Sequence, residues 1–405
     1  MAYQFYSRFT LKGSDTTHKI NIPQPIFNKF MNKINKTVFV GVSGGVDSSV
    51  SVALLKDQGY DVVGVFIRTW TPDFIKCTWQ DERRDAMRVC AHLGIPFLEC
   101  DAEEEYKKGV ADYMILEYKK GNTPNPDVMC NREVKFGVFW NFAKAHGADF
   151  IATGHYAINN YELGTCHDAR RVKNYELKKG VDASKDQSYF LWTLNQDDLV
   201  HVLFPIGHLK KTEVRKLANK YKIPVAEKKD SQGVCFLGPL DMKDFLKHYI
   251  KSEKGDVLDE KGDIIGTHDG AVFFTLGERH GFTITQKSEK EEPLYIISKN
   301  IEKNTITVTT RQPTRQDLGG SNKVKINNVN WILNVPENEK RPASPTSQGG
   351  YQVQIRYHGE LLSCRIEVKG QNEAKIIFEK EVLVDKGQSI VIYDDDVCLG
   401  GGIVE

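Results

Sequence analysis

The chain has 405 residues, 40% hydrophobic and 27% charged, enough for two or three domains, each with its own core. A formal net charge of +1 argues against a general nucleic-acid coat, and no apolar run approaches the ~18 residues a membrane span needs. Eight cysteines without a C-x-x-C pair give no support to a zinc site or a thioredoxin motif, so no metal site of the protein's own is expected apart from an ion carried in with a ligand, and with no secretory signal reduced thiols are the default.

Residues 1–35 carry Arg8, Lys12, Lys19, Lys29 and Lys33 against Asp15 alone, with no apolar core. They read as an N-terminal extension to a cytoplasmic protein, with a mitochondrial transit peptide as the alternative. From Lys36 the pattern becomes α/β. A buried strand is expected at 37–42, then Ser43-Gly44-Gly45, then a helix over 48–56 and a second strand at 61–67. Strand, helix and strand at this spacing predict a βαβ unit and a parallel sheet. Next come a helix at 81–93 stopped by Gly94, a strand at 95–99 and helical periodicity over 102–120. A two-proline loop follows at 122–126, then a helix at 134–146, a strand at 150–153 ending at Gly154, and a basic helix at 210–222. The expected fold is α/β with a doubly wound sheet, ligands sitting at the carboxyl ends of its strands. After Gly238 short β-branched strands alternate with turns such as Lys261-Gly262-Asp263 and Lys369-Gly370. Strands are expected at 305–310, 324–326, 352–357, 374–378 and 389–393, making two small all-β units. The divisions drawn are 1–35, a catalytic domain at 36–238, a central β domain at 239–303 and a C-terminal β-barrel at 304–405.

Ser43-Gly44-Gly45-Val46-Asp47-Ser48-Ser49 sits between a strand and a helix. Glycines there let backbone N–H groups approach phosphate oxygens, and the helix N-terminus adds partial positive charge. Asp47 either orients the loop or helps hold Mg²⁺. No G-x-x-x-x-G-K-[ST] occurs, and the bland reading is a plain capped turn. The segment resembles the PP-loop of the N-type ATP pyrophosphatases, which split ATP between its α and β phosphates.

Two cysteines lie in polar, turn-rich settings: Asn125-Pro126-Asp127-Val128-Met129-Cys130-Asn131 and Asp230-Ser231-Gln232-Gly233-Val234-Cys235-Phe236. Cys130 is expected in a loop just before a helix, with Arg132 and Lys135 following, a setting that favours thiolate. With Thr153-Gly-His-Tyr156, Lys185-Asp-Gln-Ser-Tyr-Phe190, His268-Asp-Gly and Thr275-Leu-Gly-Glu-Arg279, these segments resemble the tRNA-specific 2-thiouridylases, the MnmA family and its mitochondrial relatives. The resemblance runs from about Lys36 to the C-terminus.

The resemblance implies a fold like that of the adenine nucleotide alpha hydrolases and a reaction using ATP with Mg²⁺. ATP adenylates O2 of the wobble uridine in the anticodon stem-loop. A persulfide on Cys235, loaded by a sulfur-donor protein, attacks C2 and AMP leaves. Cys130 then attacks the disulfide that bridges Cys235 to the base, freeing 2-thiouridine and leaving a Cys130–Cys235 disulfide; alternatively it assists release of hydrosulfide. Asp127 is the implied general acid/base, though it equally suits an Asx turn. Gly41, Val42, Ser43, Gly44, Gly45, Val46, Asp47, Ser48, Ile67 and Gly154 are implied at ATP, and Asn125, Pro126 and Asp127 at the target base. His155, Lys185, Asp186, Gln187, Arg356, Tyr357 and Gln388 are implied at tRNA. Gln232, Glu278, His280 and the 66–70 strand end depart from the family pattern and put fine tRNA contacts in doubt. The basic residues of 210–229 suit either a phosphate track or a solvated face. Two rivals stand beside this reading: another PP-loop enzyme that needs no cysteine pair, and a tRNA-binding or sulfur-carrier protein without ATP chemistry.

Overall fold

The computed structural model describes residues 36–75, 79–163, 172–230, 241–285, 293–310, 321–333, 351–382 and 384–405. The first unit opens with β1 (Thr37–Gly41), α1 (Val46–Asp57), β2 (Asp61–Arg68), α2 (Trp79–Leu93) and β3 (Phe97–Asp101). A long helix follows as α3 (Glu103–Tyr106), a π-helical stretch Lys107–Asp112 and α4 (Tyr113–Lys119). A second is built as α5 (Pro126–Cys130), a π-helical stretch Asn131–Val138 and α6 (Phe139–Ala145). Then come β4 (Phe150–Ala152), β5 (Ala157–Leu163), β6 (Val172–Lys179), a 3₁₀ turn Ser188–Leu191, α7 (Gln196–Leu199), β7 (Val202–Leu203) and α8 (Lys211–Lys220).

The sheet of this unit is parallel throughout, in the order β3-β2-β1-β4-β7. Successive residues of β1 face opposite sides: Val38 and Val40 join one core with Val50, Ala86 and Val214, and Phe39 joins the other with Tyr106, Met114 and Phe139. Helices therefore cover both faces, which is the doubly wound arrangement. The chain leaves β1 toward β2 and β3 and later returns to β4 on the other side. That reversal opens a crevice at the carboxyl ends of β1 and β4, where ligands bind in such sheets.

After α9 (Met242–Lys247), five strands form the central unit: β8 (Gly255–Leu258), β9 (Ile264–His268), β10 (Phe282–Ile284), β11 (Tyr295–Asn300) and β12 (Thr305–Thr309), in the order β10-β9-β8-β12-β11. Because β12 pairs with β8 and β11 here, the central unit runs past the 303/304 division drawn from sequence. The last unit comprises β13 (Ser321–Trp331), β14 (Tyr351–Gln354), β15 (Leu361–Val368), β16 (Ala374–Val382), β17 (Ser389–Asp394) and β18 (Val397–Val404). These six close on themselves through β13–β18 pairing. The β5–β6 hairpin of the first unit extends the same sheet, Val397 and Cys398 pairing with Lys178 and Leu177.

Two expectations need correction. Cys130 is not in a loop: Asn125 caps a helix that starts at Pro126, its side-chain oxygen accepting from the Asp127 and Val128 backbone N–H groups at 3.2 Å each. Proline at the first helical position starts a helix rather than ending one, since its missing N–H would have no intrahelical partner there. Arg356 and Tyr357 fall beyond β14, in a turn closed by His358 at φ 56°.

Candidate active site

The turn after β1 is shaped for an anion. Gly44 has φ +71°, and a Cβ there would lie 2.5 Å from the Glu82 carbonyl oxygen, so only glycine fits. Gly45 is the N-cap of α1 and contributes no side-chain cap, which leaves the first N–H groups of the helix to a ligand. Ser43 is exposed, whereas Ser48 and Ser49 turn inward. Ser48 accepts from the Ser43 N–H at 3.3 Å, and Ser49 donates to the Gly45 carbonyl at 2.6 Å. Gly154, after β4, abuts this loop: a Cβ there would be 2.7 Å from the Ser48 nitrogen. Ile67 is buried beside Gly41 at the end of β2.

Asp47 faces a network of cations. Lys211, at the start of α8, donates to both of its carboxylate oxygens at 2.8 Å and also pairs with Asp230 at 2.8 Å. Tyr156 donates its hydroxyl to Asp47 at 2.8 Å. Asp230 further pairs with Lys185 at 2.9 Å and Arg215 at 2.6 Å. Burial alone would raise the Asp230 carboxyl, but hydrogen bonds and charge from Lys211 and Lys185 outweigh it and hold the group well below the usual carboxylate range. Lys228 donates to the Gly44 carbonyl at 3.1 Å and to Asp85 at 2.8 Å. An anionic triphosphate entering here meets lysines already gathered at the loop.

Tyr156 also carries the link to Cys130. Its backbone exchanges hydrogen bonds with Gln187, 3.0 Å to the side-chain oxygen and 2.9 Å from the Gln187 N–H. Gln187 leads into the Ser188–Leu191 turn, whose Phe190 carbonyl accepts from Asn131, the neighbour of Cys130, at 3.0 Å. Tyr189 donates to the Ser389 carbonyl of the barrel at 2.9 Å. Burial pushes the Tyr189 phenol up, opposed by a hydrogen bond from Asn125 and the charge of Arg356. Phe190 and Tyr357 pack with ring centroids 4.3 Å apart. Burial, with the charges of Asp186 and Asp127, pushes Tyr357 up to about 12. Asn125 and the exposed Arg356 thus act on Tyr189 and the half-exposed Asp127 acts on Tyr357, while Cys130, three residues after Asp127 on the same helix, is 0% exposed.

Comparison with known proteins decides the family. Models described as the tRNA methyl transferase HUP domain, the tRNA methyl transferase PRC-barrel domain and the aminomethyltransferase beta-barrel domain match residues 36–239, 243–310 and 321–404. The tRNA-specific 2-thiouridylase MnmA of Bacillus subtilis (strain 168) is 39% identical over 91% of this chain and 94% of its own length. The protein of that name from Buchnera aphidicola subsp. Acyrthosiphon pisum (strain APS) is 41% identical over 92% of this chain and 98% of its own. The chain belongs to the MnmA family. A solved structure of the U34-tRNA thiolase NcsA from Methanococcus maripaludis covers 53% of this chain and 63% of its own at 18% identity and TM-score 0.32, too distant to inform the site.

In this MnmA-family chain the residues expected at ATP, 41–48 with Ile67 and Gly154, lie together at the carboxyl ends of β1, β2 and β4, and Asn125 and Asp127 lie near the tyrosine pair that Arg356 also approaches. Other residues expected at tRNA have partners within the protein. His155 is 6% exposed, its Nδ1 2.6 Å from the Thr153 hydroxyl and its Nε2 3.4 Å from Lys135. Burial, then the charge of Lys135, pushes its pKa well below the ordinary value, so the ring is neutral. Asp186 accepts from the Gly180 N–H and the Ser188 hydroxyl, and Gln388 accepts from the Asp385 N–H at 3.1 Å. The thiolate argument for Cys130 also weakens: the thiol lies beyond the first helical turn, and Arg132 pairs with Glu133 at 2.7 Å. Cys235, and with it the expected disulfide, lies outside the described residues. Sequence reasoning assigned no role to Tyr156, Tyr189, Phe190 or Lys211 individually; the first three stand inside motifs it quoted, which was the available signal.

Proposed function

We propose that this MnmA-family chain is an ATP-dependent tRNA 2-thiouridylase acting on the wobble uridine of the anticodon stem-loop. The observation that carries this reading is the convergence on Tyr156. The hydroxyl of that residue holds Asp47 of the glycine-rich turn, and its backbone holds the segment that is tied to Asn131 beside Cys130. Activation of a base oxygen and delivery of sulfur to the same base require such adjacency.

The first N–H groups of α1, Lys211 and Lys228 suit phosphate oxygens, and Asp47 with those oxygens suits Mg²⁺. Bound ATP supplies an adenylate that turns the uridine O2 into a leaving group. The remaining chemistry belongs to the chain. Phe190 and Tyr357 offer aromatic surfaces against which a splayed-out base stacks. Asp127 exchanges a proton with the base, and Arg356 steadies the backbone phosphates. The terminal sulfur of a Cys235 persulfide attacks C2, and the C2–O2 electron pair departs with AMP. The Cys130 thiolate attacks Sγ of Cys235, the S–S bond breaks toward the sulfur retained on C2, and a Cys130–Cys235 disulfide remains for an external thiol to reduce. A persulfide-bearing protein supplies the sulfur, and a reducing compartment such as the cytoplasm suits the cycle. Among the described residues no helix is long and apolar enough to cross a membrane.

The family models speak of methyl transfer and the relatives of thiolation, and the two differ in the product. Mass spectrometry of nucleosides from tRNA incubated with enzyme, ATP, Mg²⁺, a low-molecular-weight persulfide, a reducing thiol and a sulfonium methyl donor separates them. We expect 2-thiouridine from the wild type and none from Asp47→Ala, Cys130→Ser or Cys235→Ser, with ATP binding kept in both cysteine variants. A methylated nucleoside, or no 2-thiouridine from the wild type, would overturn the proposal.

A further inference from the structure

The chain between α4 and α5 crosses both β units just before the Cys130 helix begins. Thr123 donates its backbone N–H to the Lys386 carbonyl at 2.6 Å and its hydroxyl to Asp385 at 2.9 Å, both in the barrel. The same carboxylate oxygen pairs with Lys299 of the central unit at 2.8 Å, with the two side chains only 5% and 9% exposed. Lys299 also donates to the Phe274 carbonyl at 3.0 Å, and the Thr275 hydroxyl stands 3.4 Å from that of Thr123. The approach is close: a Cβ on Gly387 would lie 2.9 Å from Cβ of Asn122, and one on Gly121 would lie 2.5 Å from the Ile301 side chain. Asn125, the cap of the Cys130 helix, is two residues beyond Thr123.

Attraction within a buried ion pair is largely offset by the loss of hydration, so such a pair contributes little net stability; what it supplies is one permitted geometry. Here all three units meet on one carboxylate, and the ligand of that carboxylate from the first unit is the threonine that starts the catalytic segment.

We propose that Asp385, held by Lys299, is a positioning residue for the reaction. Through Thr123 it fixes where the helix bearing Asn125, Asp127 and Cys130 begins, so the seating of the two β units on RNA sets the placement of the thiol. This rests on the thiouridylase reading. The test uses the full chain with Thr123→Val, which removes the hydroxyl at nearly constant volume, and Thr123→Ser, which restores it. Two quantities are read: kcat and KM for tRNA thiolation, and the rate of Cys130 alkylation by iodoacetamide without tRNA, followed by mass spectrometry. Thr123→Val lowers kcat by about tenfold or more with KM for ATP unchanged, because small misplacements of reacting groups are costly in rate. It also speeds Cys130 alkylation, and Thr123→Ser returns both toward wild type. The double variant Asp385→Leu with Lys299→Met, which removes the acceptor of the Thr123 hydroxyl and leaves no buried charge alone, shows the same fall in kcat. Wild-type kcat and alkylation in Thr123→Val, equal impairment in Thr123→Ser, or wild-type kcat in the double variant would each overturn the proposal. If the wild type itself made no 2-thiouridine, the thiouridylase reading would fall, and the alkylation contrast would still decide whether this junction places the helix.

Discussion

Three glycines separate the two ways in which a methyl group can damage this fold. Gly147, in the turn before β4, has φ +87° and open space around a Cβ, so Gly147→Ala meets backbone strain alone. That strain is roughly 1–2 kcal/mol. Gly154 has no left-handed φ, but a Cβ would lie 2.7 Å from the Ser48 nitrogen and 2.9 Å from the Asp47 carbonyl carbon. Neither is a flexible side-chain end, so Gly154→Ala must shift the start of α1, an overpacking cost of about 1–3 kcal/mol. Gly44 combines both effects, with φ +71° and contacts of 2.5 Å to the Glu82 carbonyl and 2.9 Å to Cβ of Asp85. The sum for Gly44→Ala is about 2–5 kcal/mol, an upper bound because one local adjustment relieves both terms. Urea unfolding ranks the variants Gly147, Gly154, Gly44 in order of growing damage. Calorimetric titration with ATP then shows Gly147→Ala binding as wild type and the other two weakened by about tenfold to a hundredfold. Gly44→Ala no more damaging than Gly147→Ala, or Gly154→Ala binding ATP normally, would refute the assignment of this turn as a preformed anion site.

Lys211→Met removes the cation shared by Asp47 and Asp230 and should slow AMP release. It should also change the acid limb of stability. A carboxylate whose folded pKa is depressed stabilises the fold above its unfolded value and loses that contribution as pH falls through the folded one. In Lys211→Met the folded pKa moves back toward the unfolded value, so less stability is lost as pH falls below about 4, and unfolding curves between about pH 2 and 5 will show a shallower acid limb. His155 has the same sign for a different cause: its neutral form is buried, so stability falls as pH drops below about 6.5, where the unfolded imidazole takes a proton. His155→Gln should flatten thermal stability between pH 8 and 5; an unchanged slope would mean that another group sets it.

The first unit was readable because its strands are β-branched runs ending at glycine turns. The observed β1 and β2 fall within a residue of the expected limits. Pro126 misled for a local reason: a proline ends a helix that precedes it but begins one when an Asn stands just before it, and the second context applies here. The β5–β6 hairpin escaped notice because Asn159, Asn160, Lys173 and Asn174 interrupt the apolar alternation. Its pairing depends on a barrel strand over two hundred residues later, which local pattern does not encode. The site residues were legible as motifs, but their duties were not. His155, Asp186 and Gln187 look like ligand contacts in a linear string; the burial of His155, the bonds of Asp186 within its own loop and the Gln187 bond to the Tyr156 backbone are visible only in the fold.

The borrowed hairpin ties the fate of one unit to another. Lys179 reaches the Asp395 and Asp396 carbonyls of the β17–β18 turn and lies 4.3 Å from the centre of the Tyr393 ring, clasping the barrel from outside. Expressing residues up to the end of the first unit would leave that hairpin with a bare strand edge, an invitation to self-association, and would strip the barrel of its neighbour in the same cut. Shortened versions meant for crystallisation or binding work should therefore keep the hairpin and the barrel together.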